Sequence, residues 1–191
     1  MARISKPPEV RRQEILDAAM ELFAEKGYED TSMADIAKRL GVVQGLCYRY
    51  FDSKRVLFRE AMEQYVRECC AAGLPIIHDR SKTIRQRLDD MAAMILDTER
   101  TARHHAFYHR PENQGLHEEL NWRICGYLTP HVAEELEDAC VRGELHLSRP
   151  ALTASYLLHA QIGLLGESQV PLEERVALIR CYADAILEAE A

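Results

Sequence analysis

Apolar residues recur along most of this chain at the three- and four-residue spacing of amphipathic helices. The first such pattern predicts a helix over residues 10–26, which ends at Gly27. Two shorter patterns follow and predict helices over residues 33–40 and 44–50. The buried face of the first helix is formed by Ile15, Ala18, Ala19, Leu22 and Phe23.

The two short predicted helices lie within residues 31–58, a stretch with the pattern of a helix-turn-helix that leads into a longer helix. Ser32 is placed to cap the first helix, with Asp35 in the position of a capping-box acid. Gly41 supplies the left-handed residue that ends that helix. In the second helix Cys47 and Phe51 face inward, which turns four residues outward: Gln44, Leu46, Tyr48 and Arg49. The second helix of such a motif enters the DNA major groove, where amide, hydroxyl and guanidinium groups reach bases and phosphates.

The remainder of the chain is predicted to be helical as well. Helices are expected over residues 53–72, 83–101, 115–142, 151–166 and 172–189, with a break at 102–114. Pro130 should kink or divide the helix that contains it, because its ring clashes with the preceding turn. The predicted fold class is therefore all-α, with a helix-turn-helix domain over residues 1–52 and a helical bundle over residues 53–191.

The last two predicted helices carry apolar stripes that favour a homodimer. Small residues such as Ala160 and Gly163 would let a second subunit approach closely. We expect the interface to include Leu157, Ala160, Leu164, Val176, Ile179, Ala183 and Ile186. Packing of the same stripes inside a single bundle is the alternative.

The net charge of −7 argues at first against a nucleic-acid partner, but its distribution changes that conclusion. Residues 1–55 hold 10 basic and 9 acidic side chains, a balance of +1, so the acidity belongs to the remainder. The N-terminal cations are Arg3, Lys6, Arg11, Arg12, Arg49, Lys54 and Arg55. The charge therefore permits DNA binding without demonstrating it.

Cysteine usage and hydropathy predict a cytoplasmic protein with no membrane partner. The six cysteines accompany no apolar secretion signal, which favours reduced thiols. No apolar run approaches the ~18–20 residues that span a bilayer.

Two further sets of residues suggest ligand sites. Aromatic and methionine side chains within the bundle are either ordinary core or the lining of a pocket for an apolar or aromatic effector. The pocket candidates are Met62, Tyr65, Met91, Met94, Ile95, Phe107, Tyr108 and Trp122. Transition-metal binding is the less favoured interpretation of a second set, because these residues lack regular ligand spacing on predicted helices: Cys69, Cys70, His78, His104, His105, His109, His117, Cys125, His131 and Cys140. We expect no metal and no cofactor.

Catalysis is not predicted. The chain contains neither the G-x-S-x-G motif of an activated serine nor a glycine-rich phosphate loop. The His-Glu pair within GLHEELN lacks the second histidine of a zinc-protease helix.

The N-terminal third resembles the TetR family of bacterial transcriptional regulators. The similar text is ILDAAMELFAEKGYEDTSMADIAKRLGVVQGLCYRYFDSKRVLF, residues 15–58. Its anchored features are the Phe-Ala-x-x-Gly-Tyr that ends the first helix, the Ile-Ala-x-x-x-Gly-Val around the turn, and the Tyr-x-Tyr-Phe-x-x-Lys that leads into the fourth helix. The rest of the chain agrees with the family in length, helicity and its apolar terminal hairpin.

The resemblance implies a homodimeric regulator, a repressor, that binds a palindromic operator on double-stranded DNA and is released by a small-molecule effector. It implies DNA contacts by Ser32, Gln44, Gly45, Leu46, Tyr48, Arg49 and Lys54, of which Tyr48 and Lys54 resemble phosphate anchors. Two positions depart from the pattern, since Val43 replaces a common hydroxyl cap and Leu46 a small polar residue. These departures favour apolar contact with thymine methyl groups. They also keep open an alternative, a helical ligand-binding or interaction protein that does not read a DNA sequence.

Overall fold

The computed structural model describes residues 6–98, 114–167 and 169–189. Within those ranges the chain forms nine helices and no strand, which confirms the all-α fold class. They are α1 (Pro8–Lys26), α2 (Met33–Arg39), α3 (Gln44–Tyr50), α4 (Lys54–Cys70), α5 (Gly73–Ile77), α6 (Ile84–Thr98), α7 (Gln114–Val141), α8 (Pro150–Gly166) and α9 (Leu172–Ala189). The predicted break at 102–114 lies outside the described residues, apart from the first residue of α7.

The described chain divides into two compact units, and the division falls inside α4, between Tyr65 and Val66. The sequence predicted a boundary earlier, at residues 52 and 53. The larger, N-terminal part of α4 belongs with the N-terminal unit because its side chains contact α1. Gln64 accepts a hydrogen bond from Gln13 at 3.0 Å, and the ring of Phe58 lies 5.3 Å from that of Phe23.

The core of the first unit is closed by an aromatic cluster. The ring of Tyr28 packs against Phe58 at 4.6 Å and against Phe23 at 5.6 Å, in the tilted arrangements that aromatic pairs favour. Thr31 is also buried, and its hydroxyl donates to the carbonyl of Gly27 at 2.7 Å. The Gly27 carbonyl lies just past the end of α1 and has no N–H donor within the helix, so the Thr31 hydroxyl supplies its hydrogen bond.

The start of α2 is fixed by a complete capping box, as the sequence predicted. The amide of Asp35 donates to the Ser32 hydroxyl at 3.1 Å, and the Asp35 carboxylate accepts from the Ser32 amide at 2.9 Å. The carboxylate also accepts from the Ser32 hydroxyl at 2.6 Å. Hydrogen bonds from the Ser32 side chain and backbone lower the pKa of Asp35 to about 2.

The turn between α2 and α3 is a Schellman motif centred on Gly41. The amide of Val42 donates to the carbonyl of Ala37 at 2.9 Å, and the amide of Gly41 donates to that of Lys38 at 3.1 Å. Gly41 has φ of +65°, in the left-handed region that side chains disfavour. This geometry sets where α3 begins.

The second unit is built around a cluster of small and aliphatic side chains from α6, α7, α8 and α9 and the loop after α7. Its buried members are Ile84, Leu136, Ala139, Leu145, Ala154 and Leu187. Helix α7 runs continuously through Pro130, where the sequence predicted a kink or a division. Pro75 lies in the first turn of α5, where a missing N–H leaves no hydrogen bond unmade.

We expect Gly41→Ala to lower the free energy of unfolding by about 1 kcal/mol, because alanine would have to adopt a positive φ. An added Cβ meets no atom within 4 Å at either Gly41 or Gly45. Gly45→Ala is therefore the matched control, and in a helix it should raise stability by up to about 1 kcal/mol. Urea denaturation of both variants checks this. A stability change of the same sign in both would contradict the assignment of the strain to the turn.

Candidate DNA-binding surface and effector cavity

Helix α3 has one buried face and one exposed face. Cys47 is buried within the helix, and Phe51 is buried immediately after it. The opposite face is open to solvent at Gln44, Gly45, Tyr48 and Arg49, with Leu46 half-buried beside them. The five predicted groove-facing residues thus share the side of α3 that does not pack on the core. An amide, a phenol and a guanidinium on one short helix can reach both bases and phosphates.

The start of α3 has no side-chain cap. Val43 occupies the cap position in an extended conformation, forms no side-chain hydrogen bond, and is 66% exposed. The first amides of α3 consequently have no partner from a capping side chain. These amides carry the partial positive charge of a helix N-terminus and are free to approach a phosphate.

Two of the predicted DNA contacts are already engaged inside the protein. The Ser32 hydroxyl takes part in the capping box of α2. The Lys54 ammonium donates to the carbonyls of Tyr28 at 2.8 Å and Glu29 at 3.3 Å, and lies 4.2 Å from the Tyr28 ring centre. Lys54 therefore ties the start of α4 to the loop after α1 in addition to any contact with phosphate.

Ion pairs distinguish the N-terminal cations from one another. Lys6 and Arg11 both pair with Glu14, and Arg12 pairs with Glu60. Arg49 and Arg55 are exposed and form no ion pair with any described residue, so their charges remain available for phosphate. Lys38 on α2 is also exposed and also forms no ion pair with any described residue. The sequence analysis did not include Lys38 among the clustered cations. The predicted contribution of Arg3 lies outside the described residues.

The second unit contains a cavity of about 350 Å³, within the range that holds small organic ligands. Most of its wall is aliphatic or sulfur-containing and comes from α4 to α9. Cys70 and Cys125 lie in this wall, and burial raises the pKa of the Cys70 thiol to about 12 and that of Cys125 to about 11. Both thiols therefore stay neutral and add to the apolar character of the cavity.

The predicted pocket residues are distributed differently in the structure. Met91, Met94 and Ile95 line the cavity. Met62 and Tyr65 are buried in the part of α4 that belongs to the first unit and do not line it. Trp122 is 64% exposed and packs its ring at 4.6 Å on His159. The remaining two candidates, Phe107 and Tyr108, lie outside the described residues.

The predicted dimer-interface residues all lie in the wall of this cavity: Leu157, Ala160, Leu164, Val176, Ile179, Ala183 and Ile186. Val176 and Ala183 are buried within the protomer itself. Helical spacing places these residues on common faces but does not say whether such a face meets a second subunit or the same chain. The prediction that they form a dimer interface stays a prediction. Helix α8 also has an exposed apolar face, formed by Leu152 and Tyr156, each 61% exposed, and by Ala160 four residues further on.

The buried carboxylate of Glu135 is the centre of an ionic cluster, of which Glu135 and Arg87 lie in the cavity wall. These pairings were not predicted from the sequence. The Glu135 carboxylate accepts from Nη1 of Arg87 at 2.8 Å, from Nδ1 of His78 at 2.9 Å and from Nη2 of Arg80 at 2.9 Å. His131 closes the cluster through a 3.1 Å contact between its Nδ1 and the His78 Nε2. Desolvation by burial raises the Glu135 pKa, but the hydrogen bonds from Arg80, His78 and Arg87 outweigh it and lower that pKa to about 2.

The described ranges contain no group of three or more His, Cys, Asp or Glu side chains placed to hold a metal. The histidines at 104, 105 and 109 lie outside those ranges, as does the side chain of His117. None of the described helices is both long and apolar enough to cross a membrane.

Comparison with known proteins decides the family. Residues 15–61, which span α1 to the first part of α4, match the family model described as bacterial regulatory proteins, tetR family. This segment therefore carries the N-terminal domain of the TetR family. The N-terminal unit of the chain is thus the DNA-binding domain of a family of transcriptional regulators, as the resemblance in residues 15–58 implied.

Individual proteins show how far the similarity extends. The transcriptional repressor KstR2 of Rhodococcus jostii is 39% identical over 71 residues, which cover 34% of this chain and 35% of KstR2. The chain thus matches about a third of that relative's length. The GusR structure from Salmonella enterica has a TM-score of 0.68 at 21% identity and covers 97% of this chain and 100% of its own. The flavonoid-responsive regulator FrrA has a TM-score of 0.68 at 26% identity, over 95% of this chain and 97% of its own.

We expect Glu135→Gln to lower the free energy of unfolding at pH 7 by about 3 kcal/mol, because it leaves the buried guanidinium of Arg87 without its anion. Since the Glu135 pKa is lowered on folding, its stabilisation is present above the unfolded pKa of about 4.5. It is lost as the pH falls from there towards 2. The difference between wild type and variant should therefore shrink between pH 5 and pH 3 in urea denaturation.

Glu134→Gln is the matched control for that measurement. Glu134 precedes Glu135 on α7 and also pairs with Arg80 at 3.1 Å, but it is exposed. Its replacement should change stability by no more than ~1 kcal/mol. A difference between wild type and Glu135→Gln that stays constant with pH would contradict the role given to the buried carboxylate.

Proposed function

We propose that this TetR-family protein is a ligand-responsive transcriptional repressor that binds a palindromic operator as a homodimer and is released by a small-molecule effector. The observation that carries the proposal is the exposed face of α3. Its inner side is fixed by Cys47 and Phe51, so Gln44, Tyr48 and Arg49 project from a rigid base. A binding surface on a rigid element places its polar groups reproducibly against a DNA groove.

Base recognition in this proposal combines polar and apolar contacts. Gln44 carries the amide that pairs with adenine, and Arg49 the guanidinium that pairs with guanine or phosphate. The half-buried Leu46 and the exposed Val43 offer methyl groups to thymine. Because Val43 does not cap α3, we propose that a DNA phosphate takes the place of the missing cap at the first amides of the helix.

Effector response in this proposal relies on α4. This helix begins at Lys54 in the DNA-binding unit, and its last two residues, Cys69 and Cys70, lie in the cavity wall of the second unit. An effector that binds the cavity thus acts on the same helix that carries Lys54. The flavonoid-responsive name of FrrA shows that a structural relative at this level of similarity responds to a small molecule. Allosteric release requires only that the effector prefer the conformation with low DNA affinity.

A gel-shift assay tests the proposal, with DNA from upstream of the chain's own coding region against shuffled DNA of the same composition. A regulator should prefer the upstream DNA at moderate salt. Equal affinity for both would favour the other candidate, a helical ligand-binding protein that does not read a DNA sequence.

We expect Arg49→Ala to weaken operator binding at least tenfold without lowering thermal stability, because its exposed charge has no intramolecular partner among the described residues. Lys54→Ala is the informative comparison. It should weaken binding to all sequences alike and also lower the melting temperature, since it removes two hydrogen bonds to backbone carbonyls. Gel shift and thermal denaturation of both variants check this. A stability loss for Arg49→Ala as large as that for Lys54→Ala would show that Arg49 is structural.

The proposed dimer uses the outward face of α8, with Leu152 and Tyr156 at its centre. We expect Tyr156→Glu to yield monomers in sedimentation experiments, because it places a charge in an apolar interface. Val141→Glu is the control, since Val141 is 87% exposed and belongs to α7, not to the α8 stripe. A dimer that survives Tyr156→Glu would place the interface elsewhere.

A further inference from the structure

We propose that the cavity of the second unit takes an apolar carboxylic acid, whose carboxylate is held by the free edge of the Arg87 guanidinium. This inference deepens the proposed effector response and rests on it. Its physical basis is a buried cation that is only partly satisfied, in the wall of a cavity that is otherwise mostly apolar.

Arg87 is only 3% exposed, and its hydrogen bonds are unevenly distributed. Nη1 donates both to the Ile77 carbonyl at 2.6 Å and to the Glu135 carboxylate at 2.8 Å. Nε and Nη2 are buried and have no hydrogen-bond partner among the described residues. Buried N–H groups of a cation without an acceptor are costly and rare in folded proteins, so two on one side chain call for a partner.

The two free nitrogens define the chemistry of that partner. Nε and Nη2 lie on the same edge of the planar guanidinium, where their N–H bonds run side by side. That edge forms the parallel pair of hydrogen bonds by which arginine binds a carboxylate. An alcohol or a ketone offers a single oxygen and cannot satisfy both donors with the same geometry. A carboxylate therefore fits this edge better than a neutral head group.

The charge around Arg87 leaves room for a second anion. Glu135 does not depend on Arg87 alone, because it also accepts from Nε and Nη2 of Arg80 and from His78. Arg87 thus shares an anion that other donors already satisfy. Its remaining positive charge offsets part of the desolvation cost of a ligand carboxylate, which an apolar cavity would otherwise exclude.

The rest of the cavity indicates an apolar body for the ligand. Met91 lies one helical turn beyond Arg87 on α6 and belongs to the same wall, with its methyl group 3.3 Å from where a Cβ on Gly73 would lie. Its unbranched thioether chain has several accessible conformations. We infer that Met91 shifts to let a carboxylate reach the buried edge of Arg87, while the aliphatic wall covers the hydrocarbon part.

Isothermal titration of the intact protein with octanoate and with 1-octanol tests this assignment, since the two probes differ only in the head group. We expect octanoate to bind on the order of tenfold more tightly than octanol. Arg87→Met should abolish that preference. Arg87→Lys keeps the positive charge next to Glu135, so this variant is expected to fold. A lysine cannot present two parallel N–H groups, and its affinity for octanoate should therefore also be about tenfold weaker.

Arg180→Met is the matched control. Arg180 also lines the cavity, but its guanidinium is already paired with Asp89 at 2.6 Å and with Asp184. Its replacement removes the same charge and should leave the preference for octanoate intact. The carboxylate assignment is overturned if octanol binds as tightly as octanoate, if neither binds, if the preference survives Arg87→Lys, or if Arg180→Met removes it equally.

Gel shifts on the same preparations separate this inference from the proposed function. If the protein binds DNA sequence-specifically but does not prefer octanoate, the carboxylate assignment is wrong and the proposed repressor function stands. If octanoate binds through Arg87 but DNA binding is not sequence-specific, the carboxylate assignment is supported and the proposed repressor function is wrong.

Discussion

Helix α3 is only seven residues long, which is too short for a helix to be stable in water by itself. Its stability comes from burial of Cys47 and Phe51 on its inner side, and full burial of a side chain as large as Phe51 contributes roughly 1.5–3 kcal/mol. The Schellman turn at Gly41 and the capping box at Ser32 fix where α2 begins and ends, and therefore where α3 starts. Every proposed DNA contact on α3 depends on this packing, because the buried side chains fix the position of the helix and therefore of its exposed side chains.

The second unit shows a different balance between packing and electrostatics. Its cavity wall is mostly apolar, yet it includes a buried carboxylate, Glu135, that holds cations from α6 and from the loop after α5. Compared with well-packed apolar side chains of similar volume, clusters of this kind add little net stability, because desolvation opposes the attraction between the charges. Their value lies in specificity, since a partly satisfied cation such as Arg87 discriminates between ligands that would otherwise differ only in apolar contact.

The sequence predicts local features of this protein better than distant ones. The capping box and the Gly41 turn were visible because each involves residues a few positions apart, and helical spacing placed Cys47 and Phe51 correctly. The pairing of Arg87 with Glu135, 48 residues away, leaves no local pattern, and neither does the contact between Lys54 and the Tyr28 carbonyl. Periodicity also located the stripes of α8 and α9 without showing that they line a cavity, because amphipathic spacing is the same for an interface and for a core.

The exposed face of α3 is proposed to read a DNA sequence in two symmetry-related copies. Hydroxyl-radical footprinting of the intact protein on DNA selected for binding tests it most directly. We expect two protected segments in a palindrome, with centres about 34–36 Å apart along the helix axis or near a multiple of that spacing. The Arg49→Ala variant, also without effector, should not protect either segment. A single protected segment, or protection that does not depend on sequence, would contradict the claim.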